Sequence, residues 1–418
     1  MKNNLVNNIN SDVSTSVSKL GEKRNINFSF CFLYITLTLF LGNNVISFFH
    51  LKLEGDSVLA LSHYITLPVL FLAVFSNAKY IKFTKNEKRL IFISLLIMMF
   101  QKVFMDKSAG MSFFLNSILE PVFICTLLRL LDDLQRKRLR KLLILFVIIE
   151  FCVALYEYLT YSMVFAKDVD SFAFFSGATE MRSYALHGHP LQNAFLVSMV
   201  ITAILSSHMK QSVRYAVFFV GYLSLFCFNT RSSIYFLSVI LLINIWRDFF
   251  VGKQSLTKKV VFIAVIGGAI FYLLTFIQSH NMGSRLAITM DSNDSSSYAR
   301  FILINILTHD MRWQDIFFGI TNKASDFYMD KYSLVAIENS VVNLIMGFGL
   351  IFTLSFFFFF YKIFCEISNE RVLLYSLIFI MVLLFNTNNA IQANTPIMPV
   401  AVMTLYAFGT NQVKCKKV

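Results

Sequence analysis

About twelve apolar segments follow one another along this 418-residue chain, and they leave it few other ways to fold. A helix that crosses a bilayer needs about 20 mostly apolar residues. With a mean hydropathy of +0.64, the chain carries far more apolar surface than a soluble protein of this length can bury. We predict an all-α, polytopic membrane protein with about twelve transmembrane helices, near 28–50, 57–77, 90–105, 111–130, 141–164, 190–207, 214–229, 232–248, 259–279, 340–361, 372–388 and 395–410.

The basic residues orient these helices. The formal net charge is +13, and the longest basic runs, 79–89 and 129–141, fall in linkers on one side of the predicted membrane. Short loops rich in Lys and Arg stay in the cytoplasm, so both termini are predicted to be cytoplasmic. This distribution explains the positive charge without a nucleic-acid partner, and we expect none.

The predicted helices divide the chain into five parts. Residues 1–27 are expected to form a polar cytoplasmic tail, 28–279 transmembrane helices 1 to 9, and 280–339 a large periplasmic loop. Residues 340–410 then form transmembrane helices 10 to 12, and 411–418 a second cytoplasmic tail. A loop of this length is too long to be a simple connector, and its periodic apolar residues predict short amphipathic helices at the membrane interface.

Four arginines lie on the side that the topology leaves poor in cations: Arg182, Arg231, Arg285 and Arg300. Arg182 precedes a His-Gly-His-Pro turn that opens a helix at Pro190. A guanidinium beside free helical N–H groups suits a phosphate, although an interfacial arginine can also simply reach lipid headgroups. Arg231 lies in the short turn 229–233, where a cation at the membrane boundary is costly unless it meets an anion.

The segment after Arg182 contributes three more predicted substrate-binding residues, Tyr184, His187 and His189. The two histidines lack a third ligand nearby, so we expect them to form the turn or contact sugars rather than bind a metal. The six cysteines avoid the long external segments and form no CxxC pair, which argues against a disulfide framework or a zinc site. We therefore predict neither a metal nor a cofactor.

Glu338 lies where the long loop re-enters the membrane. A carboxylate at this position can serve as a helix cap. Alternatively, partial burial would raise its pKa and let it act as a general base toward a sugar hydroxyl. Four loop aspartates are rival candidates for the base: Asp291, Asp294, Asp310 and Asp315.

These features occur in an order that resembles a known family. The chain has R-x(5)-G-H-P at 182–190, Arg-Ser at 231–232, and E-N-S-x(6)-G-x-G at 338–349. In this order it resembles the superfamily of O-antigen polymerases (Wzy-type) and O-antigen ligases of bacterial inner membranes. The resemblance implies a GT-C-like fold with its active face in the periplasm. It also implies metal-independent, inverting polymerisation of undecaprenyl-pyrophosphate-linked oligosaccharide repeat units into O-antigen polysaccharide.

The resemblance also implies roles for residues. Arg182 and Arg231 match two essential external arginines that hold the departing pyrophosphate, and Arg285 and Arg300 resemble further loop arginines of polymerases. Ligases usually have His where this chain has Glu338, so a polymerase is favoured over a ligase that transfers glycan to lipid A core. The implied partners are lipid-linked oligosaccharides, the bilayer, and the chain-length regulator and flippase of the same pathway.

A lipid-linked oligosaccharide flippase is a further alternative. A flippase should line a central cavity with ionisable residues from both halves of the chain. Here the acidic residues within predicted helices are few (Glu120, Glu150 and Glu157), and the unusual residues gather at one face.

Overall fold

The computed structural model describes residues 28–49, 61–105, 110–165, 182–251, 256–279, 302–320, 327–328, 330–332, 339–387 and 395–409. Within these ranges all regular structure is helical. The helices of the first half are α1 Ser29–Phe40, α2 Asn43–Phe48, α3 Leu61–Ser76, α4 Lys85–Met105, α5 Met111–Leu128, α6 Asp133–Thr160, α7 Pro190–Ser206 and α8 Gln211–Cys227. Those of the second half are α9 Arg231–Trp246, α10 Leu256–Ser279, α11 302–310, α12 Trp313–Phe318, α13 Ser340–Phe348, α14 Leu350–Ile367, α15 Arg371–Phe385 and α16 Ile397–Phe408.

Four helical stretches in the described residues are long and apolar enough to cross a bilayer: α5, α6, α14, and α9 with its continuation to Phe249. Shorter apolar helices accompany them, at Ser29–Phe40, Tyr64–Ser76, Pro190–Ser206, Arg371–Phe385 and Ile397–Phe408. Helices of this composition expose their side chains to lipid rather than to water. The described part of the chain is therefore all-helical and suited to a membrane, whereas the count of twelve crossings stays a prediction.

Two predicted helices are wrong as single elements, because a glycine interrupts each of them. Segment 28–50 breaks between α1 and α2 at Gly42, where a Cβ would lie 2.1 Å from the Leu186 carbonyl oxygen. Segment 340–361 breaks at Gly349, whose φ of 87° no helical residue adopts. The helix predicted from 141 instead begins at Asp133, because Asp132 and Gln135 form a reciprocal capping box there.

Helix α7 lies at the centre of the bundle. Of its residues only Leu191 and Gln192 are not buried, and it packs against α6, α8, α9, α15 and α16. A helix that is apolar all round is stable only when other elements surround it. Its first residue, Pro190, follows the segment that contains Arg182, so this central helix holds one end of that segment.

A second, smaller core joins the described part of the long loop to α13. Ile302, Leu303 and Ile306 of α11 pack with Val342 and Met346 of α13. The Ile320 N–H also donates to the Met346 carbonyl at 2.8 Å. The prediction that this loop carries short helices is therefore confirmed within 302–320, and their position at the membrane interface stays a prediction.

Candidate functional site

The segment 182–189 is anchored by a buried carboxylate on α6. Glu157 is fully buried and accepts hydrogen bonds from Ser183 Oγ (2.6 Å), the Tyr184 N–H (2.8 Å) and the Ala185 N–H (3.0 Å). A buried carboxylate is stable only where donors surround it, as they do here. Glu157 thus fixes the backbone immediately after Arg182.

Two asparagines hold the other side of this segment. Asn193 of α7 accepts from the His187 N–H at 3.2 Å, and its amide nitrogen donates to the Tyr184 carbonyl. Asn44 of α2 donates to the Ala185 carbonyl at 3.0 Å. Because three helices supply its partners, the segment is a rigid part of the bundle.

The same segment is bonded to the turn that precedes Arg231. The Ser183 N–H donates to the carbonyl of Cys227, the last residue of α8, at 3.0 Å. The chain then turns at Asn229, whose φ is 52°, and α9 begins at Arg231. Arg182 and Arg231 are both half-buried. They therefore belong to two backbone segments that are bonded to each other at the same end of the bundle.

The three predicted binding residues of this segment differ in exposure. His187 is buried, and its Nε2 lies 3.1 Å from the Leu39 carbonyl. Burial lowers the pKa of His187 to about 4 and raises that of half-buried Tyr184 to about 12. His189 is exposed and caps α7, because its Nδ1 accepts from the Leu191 N–H at 3.2 Å. His187 thus supports the segment, whereas His189 faces outward.

Three other predicted site residues, Glu338, Arg285 and Arg300, lie outside the described residues, as do Asp291 and Asp294. The neighbour of Glu338 is described. Asn339 caps α13 by accepting from the N–H groups of Val341 (3.0 Å) and Val342 (3.1 Å). Asn339 is therefore the N-cap of α13.

Asn339 also lies at the same end of the bundle as Arg182. Its amide donates to the Asn386 carbonyl at 3.2 Å, and Asn386 follows the last residue of α15, Phe385. The Phe385 ring stacks on Phe195 with centroids 5.2 Å apart. Phe195 lies near the start of α7, so the end of the long loop and the Arg182 segment lie at the same end of α7.

Two of the rival loop aspartates are described, and both have partners. Asp310 accepts from Tyr332 and from Lys331 Nζ (3.2 Å), and these donors lower its pKa. Asp315 pairs with Arg312 at 3.1 Å. The lowered pKa makes Asp310 a weaker base, and the carboxylate of Asp315 is held by Arg312.

The opposite ends of the helices carry five arginines that make local hydrogen bonds. Two bind carboxylates on neighbouring helices: Arg129 bonds Glu87 at 2.6 Å, and Arg214 bonds Asp248 at 2.5 Å. The others bond Asp248 or backbone carbonyls; they are Arg136, Arg140 and Arg247. The arginines at this end thus brace the helix ends.

The sequence did not reveal the residues that hold the segment 182–189 in place. Glu157 was noted only as an acid within a predicted helix, although a buried ionisable residue in a membrane helix is itself a signal. Asn44 and Asn193 gave no signal, because their partners lie far along the chain. Among the described residues no group of three His, Cys, Asp or Glu side chains could hold a metal ion.

No protein-family model matches the chain, and comparisons with curated proteins and with solved structures gave no match either.

Proposed function

We propose that this protein is a membrane glycosyltransferase of the O-antigen polymerase (Wzy) type. It would join undecaprenyl-pyrophosphate-linked oligosaccharide repeat units into O-antigen polysaccharide. The observation that carries this proposal is the bond between Ser183 and Cys227, which brings the segments of Arg182 and Arg231 together. Two guanidinium groups at one rigid end of a membrane bundle suit a diphosphate at the lipid surface.

In this reaction the arginines act on the leaving group. When the bond between the donor sugar and pyrophosphate breaks, its electron pair leaves with the pyrophosphate oxygen. Arg182 and Arg231 would neutralise the charge that develops there. Donors fixed in advance in a low-dielectric site stabilise such charge more than water does. Glu157 accepts hydrogen bonds from the N–H groups of Tyr184 and Ala185, and these bonds hold the backbone next to Arg182 in place.

Glu338 is the proposed general base. It would take the proton from the acceptor hydroxyl, whose oxygen then attacks the anomeric carbon with inversion. Its neighbour Asn339 is fixed at the same end of the bundle as the arginine segments. Arg285, Arg300, Tyr184 and His189 would contact the lipid-linked substrates, and His187 would support the turn from inside.

The proposal includes a topology. The chain would cross the inner membrane about twelve times in a GT-C-like arrangement, with both termini in the cytoplasm and the active face in the periplasm. The cluster of arginines at the opposite helix ends supports this orientation. The lipid-linked oligosaccharides are its substrates, and the chain-length regulator and flippase of the pathway are its proposed partners. No metal or other cofactor enters the mechanism.

The test is complementation of a gene deletion, read as lipopolysaccharide on a gel. We expect the deletion, Arg182→Ala and Arg231→Ala all to give single repeat units on lipid A core. The matched control is Arg312→Ala, which removes an exposed arginine of the long loop and should restore the full ladder. Immunoblots of membrane fractions check insertion.

Other outcomes would identify the alternatives. A full ladder with both arginine variants would remove these residues from the mechanism. Polymer accumulating on the lipid carrier in the deletion strain would indicate a ligase. The complete absence of repeat units from the surface would indicate a flippase.

A further inference from the structure

A polar cavity of about 400 Å³ lies at the end of the bundle opposite to Arg182. It is formed where α7 and α9 end and where α8 and α15 begin. Helix α7 has 17 residues, so this cavity is roughly 25 Å from the Arg182 segment. It therefore belongs to a different site from the one proposed for catalysis.

Guanidinium groups outnumber carboxylates in the cavity wall. Asp248 pairs with two of these guanidinium groups: its oxygens accept from Arg214 at 2.5 Å and from Arg247 at 3.1 Å. Within the described part of the chain, the terminal nitrogens of Arg247 donate only to the carbonyls of Ser206 (3.4 Å) and Leu205 (3.5 Å). Arg371, the first residue of α15, is exposed at the rim. Arg247 and Arg371 thus keep donors for an anion.

The wall also has hydrogen-bonding capacity that the protein does not use. Glu370 is 9% exposed, and its Oε1 lies 3.0 Å from His208 Nε2. Its Oε2 has no hydrogen-bond partner among the described residues, and neither has the Nε of Arg214. Buried polar atoms are rarely left without partners, so the cavity is suited to an occupant with both donors and acceptors.

The surroundings indicate where this occupant comes from. Trp246 precedes Arg247 and is 61% exposed at the end of α9. An exposed Trp beside an Arg at the end of an apolar helix is typical of the headgroup layer of a membrane. The cavity therefore lies at the depth of lipid headgroups.

We propose that this cavity binds a phospholipid headgroup, with its phosphate against Arg247 and Arg371 and its ammonium or hydroxyl donating to Glu370. The headgroups that fit are phosphoethanolamine and phosphoglycerol. Phosphocholine has the same phosphate but no N–H or O–H donor, so it satisfies only the arginines. This site does not depend on the catalytic role of Arg182.

The experiment uses the full-length protein, stripped of lipid in detergent. Bound lipid is measured by native mass spectrometry during titration with phosphatidylethanolamine, phosphatidylglycerol, phosphatidylcholine or inorganic phosphate. We expect Arg371→Ala to weaken binding of the first two lipids roughly tenfold, the loss expected for one charge-assisted contact. Arg312→Ala, an exposed arginine outside the cavity, is the matched control and should bind as the unaltered protein does.

A second variant tests the role of the carboxylate. Glu370→Gln keeps the shape of the side chain but removes its charge, so the preference for phosphatidylethanolamine over phosphatidylcholine should fall. Equal affinities of Arg371→Ala and Arg312→Ala for every lipid would overturn the proposal. Binding of inorganic phosphate as tight as that of phosphatidylglycerol would also overturn it, because the site would then bind free phosphate.

Discussion

The backbone N–H of Ser183 donates to the carbonyl of Cys227 at 3.0 Å, and both residues are buried. This bond joins the residue after Arg182 to the turn before Arg231. Because it uses only backbone atoms, it depends on how the two segments pack and not on the side chain at either position. The proposed pyrophosphate site is therefore a consequence of the packing of α6, α7 and α8.

We predict that Glu157→Gln disables the site without removing a group that touches substrate. A Gln side chain has one acceptor oxygen, whereas Glu157 accepts from Ser183 and from two backbone N–H groups through a single oxygen and from Val164 through the other. A buried donor that is left without an acceptor destabilises the fold by about 1–3 kcal/mol. The melting temperature in detergent should fall, and the surface polysaccharide should shorten toward single repeat units.

The control for this substitution is Glu366→Gln. Glu366 is a third exposed and accepts from Asn86 at 2.6 Å, a bond that the Gln oxygen can keep. Its other oxygen lies 3.8 Å from Arg129, which keeps its closer partner Glu87 at 2.6 Å. The Glu366→Gln variant should have the same melting temperature as the unaltered protein. Equal melting temperatures and polysaccharide for the Glu157 and Glu366 variants would show that Glu157 does not hold the segment.

A pair of glycines tests the junction between the long loop and the membrane helices. At Gly349 φ is 87°, and a Cβ would lie 2.2 Å from the Phe317 carbonyl oxygen. With ψ at 162°, this conformation is almost confined to glycine and costs another residue about 1–3 kcal/mol, and the clash adds to it. Gly349→Ala should therefore lower the melting temperature and expose 302–320 to limited proteolysis.

Gly347→Ala is the matched control, two residues earlier in α13. A Cβ at Gly347 meets nothing within 4 Å, and alanine favours a helix by up to about 1 kcal/mol. This variant should be as stable as the unaltered protein or slightly more so. If both substitutions had the same effect, the packing of α12 against Gly349 would not hold the loop in place.

The sequence predicted most helices because apolar periodicity is a local property. The described helices outside the long loop lie where apolar segments were expected, with ends that differ by several residues. It missed the breaks at Gly42 and Gly349, since both arise from contacts with backbone far along the chain. The distribution of charge predicts that Arg182 and Arg231 are external. The bond between their two segments depends on tertiary contacts that no local pattern encodes.

The buried ring of His187 predicts a loss of stability in acid. Burial lowers its folded pKa to about 4, against 6.5 when unfolded, so the unfolded chain binds a proton first as the pH falls. The stabilisation is complete above pH 6.5 and is lost between 6.5 and about 4, with a maximum near 3 kcal/mol. His187→Gln, which keeps a donor for the Leu39 carbonyl, should lack this dependence in melting experiments.

The comparison for this pH series is His309→Gln, because His309 is exposed on α11. Its melting curve should follow that of the unaltered protein at every pH between 7 and 4.5. If the melting temperature of His187→Gln fell as steeply in acid as that of His309→Gln, the titrating group would not be His187.

The last prediction concerns the orientation on which the catalytic proposal depends. Helix α6 has 28 residues and is roughly 42 Å long, more than the thickness of the hydrocarbon layer. Leu134 and Tyr161 are exposed near its two ends, and Tyr161 lies on the side of the Arg182 segment. The reagent is a maleimide that passes through the outer membrane but not through the inner membrane. In intact cells it should label Tyr161→Cys, and it should label Leu134→Cys only after the inner membrane is opened. The reverse pattern would place the arginine pair in the cytoplasm, on the side opposite to the proposed active face, and the proposed function would be lost with it.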